Sequence, residues 1–287
     1  MYVCIYAICH KFRHYQLKIQ FMSAECNEIM FFLKGQPQWC SPVFNGSNTV
    51  INVSMDVISE EQLAKKLNYL RPGGHYNPSG CTSKYRVAIV VPYRDRESHL
   101  HVLLNNFHPF LTNQQLDYSI IVVEQAANQT FNRGKFFVRL FYDGMFGTSC
   151  SLTVRQFLNV NGFSNRFWGW GGEDDDMYSR IISAGYKVER YNTSIARYKM
   201  IKHGKDSSNP VNPCRYKLLA KTKRDWKTDG LSSLRYKLLN VTLKPLYTHI
   251  LVDLLEAEEK PSVNKQFCEV KNVKQKRNLS IGETRIA

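Results

Sequence analysis

The sequence lacks several patterns that mark common protein classes. Its eight cysteines stand singly, and no Cys-x-x-Cys pair occurs, so a zinc ribbon is not expected. No internal repeat is visible. The apolar run MYVCIYAIC has nine residues, whereas a helix needs about 20 to span a bilayer. This run also lacks a leading basic region and a clear cleavage site, so it is a poor signal peptide. Either the protein is not secretory or the start of this chain is incomplete.

Acidic residues are scarce. The chain has 24 Asp and Glu residues and 39 Lys and Arg residues, which gives a formal net charge of +15. Such a surplus favours anionic partners, namely nucleic acid, anionic membrane or phosphorylated substrates, although a solvated basic surface explains it equally well. No motif resembles a zinc finger or an aromatic RNA-binding motif, so no nucleic-acid partner is expected. The C-terminal stretch 257–287 is basic and polar and is predicted to be a disordered tail.

The chain is long and apolar enough for a core, with 287 residues of which 43% are hydrophobic. This suits one large domain or one domain with extensions. N-x-Ser/Thr motifs are frequent and favour the secretory lumen, where disulfides persist. Six such motifs occur, at Asn45, Asn52, Asn128, Asn192, Asn240 and Asn278.

Residues 85–125 carry the clearest fold signal. YRVAIVVPY (85–93) and LDYSIIVVEQ (116–125) are continuous apolar runs typical of buried parallel strands, and RESHLHVLLNNFHPFL between them has helical spacing. A strand–helix–strand unit predicts an open α/β sheet, whose ligands bind at the carboxyl ends of the strands. The segments PYRDR and QAANQTFNRGK follow the two strands and should therefore face one crevice.

Weaker patterns predict the remaining elements. SEEQLAKKLNYL is typical of a short helix capped by Ser59, and SLTVRQFLNVNGF of a short helix and a turn. A helix is expected from about Asp174 to Ala184, with Gly185 as its stop. SIARYKMIKH reads as extended, and LRYKLLNVTLKPLYTHILVDL as β structure. Residues 1–35 show no steady period and are predicted to be irregular.

Two residue groups have the composition of ligand sites. If the strand end stays extended, Arg94 and Arg96 share one face and suit phosphate oxygens, although a surface salt bridge is an equal alternative. Phe131, Asn132 and Arg133 add an aromatic ring and a cation at the same crevice, as a nucleotide requires.

The second group is FWGWGGEDDD (167–176). Trp168 and Trp170 suit the apolar faces of sugar rings, the acids suit sugar hydroxyls, and Gly171 and Gly172 allow close backbone approach. The alternatives are core tryptophans and acids that favour a helix start. Met200 and His203 in KMIKH could hold a metal, but alone a core Met and a surface His explain them better.

Taken together, these segments resemble the β-1,4-galactosyltransferase family. VAIVVPYRDRESHL, FNRGK, NGFSNRFWGWGGEDDD and KMIKH stand in the family's order, and the likeness runs from about Cys40 to Asp253. It implies a GT-A-like open mixed sheet with flanking helices. It also implies an inverting, Mn²⁺-dependent enzyme that moves galactose from UDP-galactose to a terminal N-acetylglucosamine in glycoprotein and glycolipid glycans. Family members are lumenal Golgi enzymes on a type II membrane anchor.

The resemblance also assigns roles to individual positions. Asp174 would be the general base, with Glu173 beside it, and Cys40 would pair with Cys81 in a disulfide. Met200 and His203 would be metal ligands. The UDP-sugar would contact Pro92, Tyr93, Arg94, Asp95, Arg96, Phe131, Asn132, Arg133, Trp170 and His203. The acceptor would contact Trp170, Gly172, Glu173, Asp174, Asp175 and Arg215.

The implied organisation has five parts. An irregular segment (1–35) precedes a lead-in (36–84), a nucleotide-binding half (85–135), a half for acceptor and metal (136–256) and the tail (257–287).

One family motif is missing. The family carries Asp-Val-Asp after FNR, and one of its aspartates ligates the metal, but here Lys135 runs straight into FFVRLFYDGMFG. Asp143 does not match by context, and Cys150 is left without an assigned partner. The chain should therefore lose a central strand, which leaves unpaired edges or forces a re-pairing. Loss of the ligand points to an alternative, a catalytically impaired form that only binds sugar or nucleotide. Met145 stands where the family has a tyrosine that favours galactose as the donor sugar. Because methionine is flexible and lacks the hydroxyl, N-acetylgalactosamine is an alternative donor sugar.

Overall fold

The structure is a computed structural model that describes residues 38–41, 53–126, 146, 150–190 and 210–269, together with the backbone of 6–10. The strands are β1 (Tyr6–His10), β2 (His75–Tyr76), β3 (Arg86–Tyr93), β4 (Asp117–Gln125), β5 (Cys150–Thr153), β6 (Lys237–Leu243) and β7 (Thr248–Asp253). The helices are α1 (Glu60–Lys66), α2 (Glu97–Asn113), α3 (Val154–Asn159), α4 (Glu173–Ser183), α5 (Arg215–Leu219), α6 (Thr222–Asp225) and α7 (Glu256–Val263). Short helical turns at Leu231–Ser233 and Asn264–Cys268 complete the list.

The predicted strand–helix–strand unit is confirmed. β3 and β4 pair in parallel from Arg86 opposite Asp117 to Tyr93 opposite Glu124, and α2 connects them. Side chains of α2, including Leu100 and Leu104, pack in the main core with the inward residues of the two strands. The carboxyl ends of both strands therefore lie at one edge of an open sheet, as expected.

Other local predictions also hold. α1 begins after Ser59, which forms a capping box with Gln62. The short helix α3 appears in SLTVRQFLNVNGF, and α4 ends before Gly185, whose φ is +81°. The predicted β structure near the C-terminus is the antiparallel pair β6–β7.

The sheet is mixed and has the order β5-β1-β3-β4-β7-β6, with β2 paired to β4. The prediction of an irregular segment 1–35 is wrong for β1, which pairs antiparallel with β3 and parallel with β5. β1 covers the edge of β3 that faces away from β4. This edge of β3 is therefore not left open, as is expected because an unpaired inner edge is costly.

The predicted disordered tail needs a second correction. Its first part is ordered, because α7 and the turn after it extend to Cys268. Val263 and Phe267 are buried in a small core with Phe167, Trp168 and Leu218. Val263 and Phe267 can be buried against this core, so the segment is ordered. The average composition of residues 257–287, which is basic and polar, does not indicate these two apolar residues. None of the helices in the described part of the chain is both long and apolar enough to cross a membrane.

Candidate functional site

The start of α4 is shaped by two glycines. Gly171 and Gly172 have φ of +105° and +98°, a region that residues with a side chain rarely adopt. A Cβ on Gly172 would lie 2.8 Å from a ring carbon of Phe167, and one on Gly171 would lie 3.0 Å from Cδ of Arg215. The two glycines therefore let the backbone pack closely against Phe167 and Arg215, and their close approach to a sugar stays a prediction.

The two tryptophans have different surroundings. Trp168 is buried in the small core, as the alternative interpretation of these residues proposed. Trp170 is only partly buried, and its backbone is bridged on both sides, donating to Pro210 O at 2.8 Å and accepting from Asn212 N at 2.9 Å. The guanidinium carbon of Arg215 lies 5.4 Å from the centroid of the Trp170 ring. Trp170 and Arg215, which stand far apart in the sequence, therefore meet as predicted, with a cation over an aromatic face.

Glu173 and Asp174, here called the carboxyl site, follow directly in the first turn of α4. Burial, with repulsion from Asp174, raises the pKa of Glu173 to about 8. Burial, with repulsion from Asp175, raises the pKa of Asp174 to about 7. One oxygen of Glu173, Oε2, is buried without a hydrogen-bond partner among the described residues. Near neutral pH, Glu173 is therefore mostly protonated and Asp174 is close to half ionised, a poise that suits proton transfer.

The fourth acid of the run belongs to a separate group. Asp176 accepts from Arg180 Nε at 2.6 Å and from Thr222 Oγ1 at 2.7 Å. Arg180 is fully buried and donates from Nη2 to Asp229 Oδ2 at 3.0 Å. We call Asp176, Arg180 and Asp229 the ion-pair network. It ties α4 to the segment after α6 and thereby fixes the helix that carries the carboxyl site.

Sequence reasoning missed two features of the wall around Trp170. Asn212 is buried, and its Nδ2 has no partner in the part of the chain that the structure describes. Cys214, next to Arg215, forms a disulfide with Cys268. No local signal in the sequence indicates either feature, since one depends on burial and the other on a pairing across 54 residues. The implied Cys40–Cys81 disulfide is confirmed.

The end of β3 differs from the prediction. Pro92 and Tyr93 end the strand, but Asp95 has φ of +45°, so the chain turns there and does not stay extended. The condition that would put Arg94 and Arg96 on one face of an extended strand is therefore not met. Arg94 is largely buried, and its Nε lies 3.7 Å from Oδ2 of the exposed Asp95. Arg96 is partly buried at the start of α2.

The remaining predicted site residues lie outside the described residues. These are Phe131, Asn132, Arg133, Met145, Met200 and His203. Among the residues that the structure does describe, no group of three or more His, Cys, Asp and Glu could hold a metal ion. The described part of the site thus combines the Trp170–Arg215 contact with the carboxyl site, and the metal ligands stay a prediction.

Parts of the chain are similar to known glycosyltransferases. Residues 39–149 match the N-terminal region of glycosyl transferase group 7, and residues 130–204 match the N-terminal domain of galactosyltransferase. Human beta-1,4-galactosyltransferase 3 is 38% identical over 255 residues, which cover 71% of this chain and 65% of that protein. Beta-1,4-galactosyltransferase 4 of Cricetulus griseus is 38% identical over 262 residues, covering 74% of this chain and 75% of that protein.

The chain thus spans less than two thirds of the human relative's length. Among solved structures, the catalytic domain of Drosophila beta1,4galactosyltransferase 7 in complex with xylobiose superposes with a TM-score of 0.47 and 20% identity. That alignment covers 61% of this chain and 97% of the fly domain.

Proposed function

The chain belongs to the β-1,4-galactosyltransferase family, and we propose that it transfers galactose from UDP-galactose to a terminal N-acetylglucosamine with a β-1,4 linkage. The observation that carries the proposal is the carboxyl site beside Trp170. A flat ring, two glycines and two carboxyls with raised pKa values are what a sugar acceptor and its proton need. The product would enter glycoprotein and glycolipid glycans.

In the proposed reaction Asp174 accepts the proton. The donor linkage is α and the product β, so the acceptor oxygen attacks the sugar C1 from the opposite face in one displacement. The new oxygen–carbon bond forms, the bond from C1 to the diphosphate breaks, and UDP leaves with the electron pair. Asp174, whose pKa is about 7, takes the hydroxyl proton as that bond forms. Below this pH Asp174 is protonated and cannot serve.

The neighbouring groups position the acceptor. Glu173 is mostly protonated near neutral pH because of its burial, so it can donate a hydrogen bond to a sugar oxygen. The atom available for this bond is Oε2, which is buried without a hydrogen-bond partner among the described residues. The Nδ2 of Asn212 is a second buried donor beside Trp170. Buried polar atoms without partners are rare in folded proteins, and a bound sugar hydroxyl would satisfy both. Gly172, Asp175 and Arg215 complete this acceptor wall.

The donor side rests on the sequence resemblance. Pro92 to Arg96, with Phe131, Asn132, Arg133 and His203, would hold the UDP-sugar. Met200 and His203 would hold Mn²⁺, which would neutralise charge on the departing diphosphate. Among the described residues, no group of His, Cys, Asp and Glu could take the place of these ligands. Met145 makes UDP-N-acetylgalactosamine the alternative donor.

A second candidate is a form that binds sugar or nucleotide without transfer. The absence of Asp-Val-Asp from the sequence favours it, because two ligands without a charged oxygen hold Mn²⁺ weakly. For either function we propose the Golgi lumen as the location, on the basis of the family and of the N-x-Ser/Thr motifs.

Sugar transfer by the purified chain tests the proposal. Each donor, UDP-galactose or UDP-N-acetylgalactosamine, would be combined with a simple N-acetylglucosaminide, with and without Mn²⁺. The proposal expects Mn²⁺-dependent transfer from one donor, with Asp174→Asn as the inactive control. A folded chain that binds the acceptor in calorimetry but transfers neither sugar would contradict the enzyme and favour the binding form.

A further inference from the structure

Strand β6 is exposed along its whole length. All seven of its residues are exposed, and its apolar members include Leu238 at 54%, Leu239 at 51% and Leu243 at 63%. β6 ends the sheet order and pairs with β7 alone among the described strands. An exposed, apolar edge strand can pair with other chains and aggregate, so proteins usually protect such edges.

β6 also contains an N-x-Thr motif. Asn240, Val241 and Thr242 form the sequon that lies wholly within the described residues, and neither Val241 nor the following residue is proline. Asn240 is exposed, and its Nδ2 donates to Thr242 Oγ1 at 3.1 Å across an exposed contact. The amide and the hydroxyl that define the motif therefore point to the same side of the strand and are open to solvent.

The local backbone leaves room at this position. The pairing of β6 with β7 shifts register between Leu238 and Asn240, a bulge that bends an edge strand. Asn240 follows directly and stands opposite Leu251 on the neighbouring strand. A bulky group on the Asn240 amide would displace one exposed hydrogen bond, that to Thr242. It would stand beside the open edge of β6, where it would hinder pairing with a strand of another chain.

We propose that Asn240 is an N-glycosylation site whose glycan covers the β6 edge. In the reaction the amide nitrogen of Asn240 attacks C1 of a lipid-diphosphate-linked oligosaccharide. A nitrogen–carbon bond forms, the bond from C1 to the diphosphate breaks, the lipid diphosphate leaves with the electron pair, and the amide loses one proton. The inference rests on the proposed lumenal location, because the modification takes place in that compartment.

Mapping of glycan occupancy tests this site. The full chain would be expressed in eukaryotic cells behind a cleavable secretion leader, and protease-protected lumenal protein would be recovered. After enzymatic deglycosylation, which converts a modified Asn to Asp, mass spectrometry would read the Asn240 peptide. We expect conversion at Asn240, loss of one glycan in Asn240→Gln and Thr242→Ala, and retention in Thr242→Ser. An unconverted Asn240 peptide in lumenal protein would overturn the proposal.

The role of the glycan has its own readout. We expect the Asn240→Gln chain to aggregate several-fold faster than the glycosylated chain in light scattering, and Leu239→Lys in the same background to reverse the effect. Equal aggregation of both chains would overturn the covering role. Sugar transfer measured on the same preparations keeps the two proposals apart, since β6 contributes no residue to the proposed acceptor wall.

Discussion

Asp174 and Asp176 are two residues apart on one helix and have opposite surroundings. Asp174 belongs to the carboxyl site, where burial and a neighbouring acid raise its pKa to about 7. Asp176 lies in the ion-pair network, where Arg180 and Thr222 hold both of its oxygens. The helical repeat turns neighbouring positions to different faces. A run of four acids therefore serves two purposes, titrating groups at the site and a paired anchor beneath it.

The largest predicted effect comes from breaking the anchor. Arg180→Leu would leave Asp176 buried without its cation, and Asp229 would keep only the longer ion pair with Arg166 Nε at 3.8 Å. We expect it to cost about 3–5 kcal/mol of unfolding free energy. Urea unfolding at neutral pH measures the loss. Arg155→Leu, at an exposed position outside the network, is the control and should change stability little. If both variants unfold at the same urea concentration, the network does not anchor α4.

Loss of the Cys214–Cys268 disulfide should weaken the wall around the site. Changing both cysteines to serine removes the covalent link between the segment after α7 and Cys214, the neighbour of Arg215. We expect a loss of about 2–4 kcal/mol of unfolding free energy. The KM for the acceptor should rise more than kcat falls, because Arg215 positions and does not react. Cys150→Ser, which changes a cysteine outside this disulfide, is the matched control. An unchanged acceptor KM would show that Arg215 is held without the disulfide.

Gly172→Ala tests the tight start of α4. The added Cβ would meet Phe167 at 2.8 Å in a backbone conformation with φ of +98°, and we expect a loss of about 1–3 kcal/mol. Thermal unfolding and acceptor binding should both weaken. Gly80→Ala, whose Cβ would meet no atom within 4 Å, should behave like the wild-type chain. Wild-type behaviour of Gly172→Ala would mean that the close approach is not needed.

The last predicted effect concerns the pH dependence of stability and is no larger than that of Gly172→Ala. The pKa of Glu173 is raised by burial from 4.5 to about 8, so the folded state favours its protonated form. Its contribution to stability is fully present below about pH 4.5 and is lost as the pH rises through about 8. Glu173→Gln removes this titration and should gain on the order of 1–3 kcal/mol relative to wild type between pH 5 and 9. Parallel stability curves for the two chains over that range would contradict the raised pKa.

The sequence predicts those parts of the structure that local chemistry decides. Continuous apolar runs predict β3 and β4, Ser59 predicts the start of α1, and Gly185 predicts the end of α4. The composition of residues 167–176 predicts the meeting of a ring, glycines and acids. Each of these signals acts within a few residues of its effect.

The features that the sequence does not predict depend on distant partners. The strand Tyr6–His10 exists through its pairing with β3, which lies far away in the sequence. The Cys214–Cys268 disulfide requires that the segment after α7 packs against the start of α5. The turn at Asp95 shows how one backbone angle overturns an inference about Arg94 and Arg96. Which of the four acids belongs to the site depends on Arg180 and Asp229, and the second of these lies 49 residues further along the chain.

The most direct test measures Asp174→Asn and Asp176→Asn side by side for sugar transfer and for unfolding free energy. The two changes are isosteric, and the positions differ only in surroundings. We predict that Asp174→Asn lowers transfer by about 10²–10⁴-fold at unchanged or higher stability. Asp176→Asn should cost roughly 2–4 kcal/mol of unfolding free energy and leave residual transfer in the folded fraction. A reversed result, with Asp174→Asn active or Asp176→Asn fully stable, would contradict the division of roles along α4.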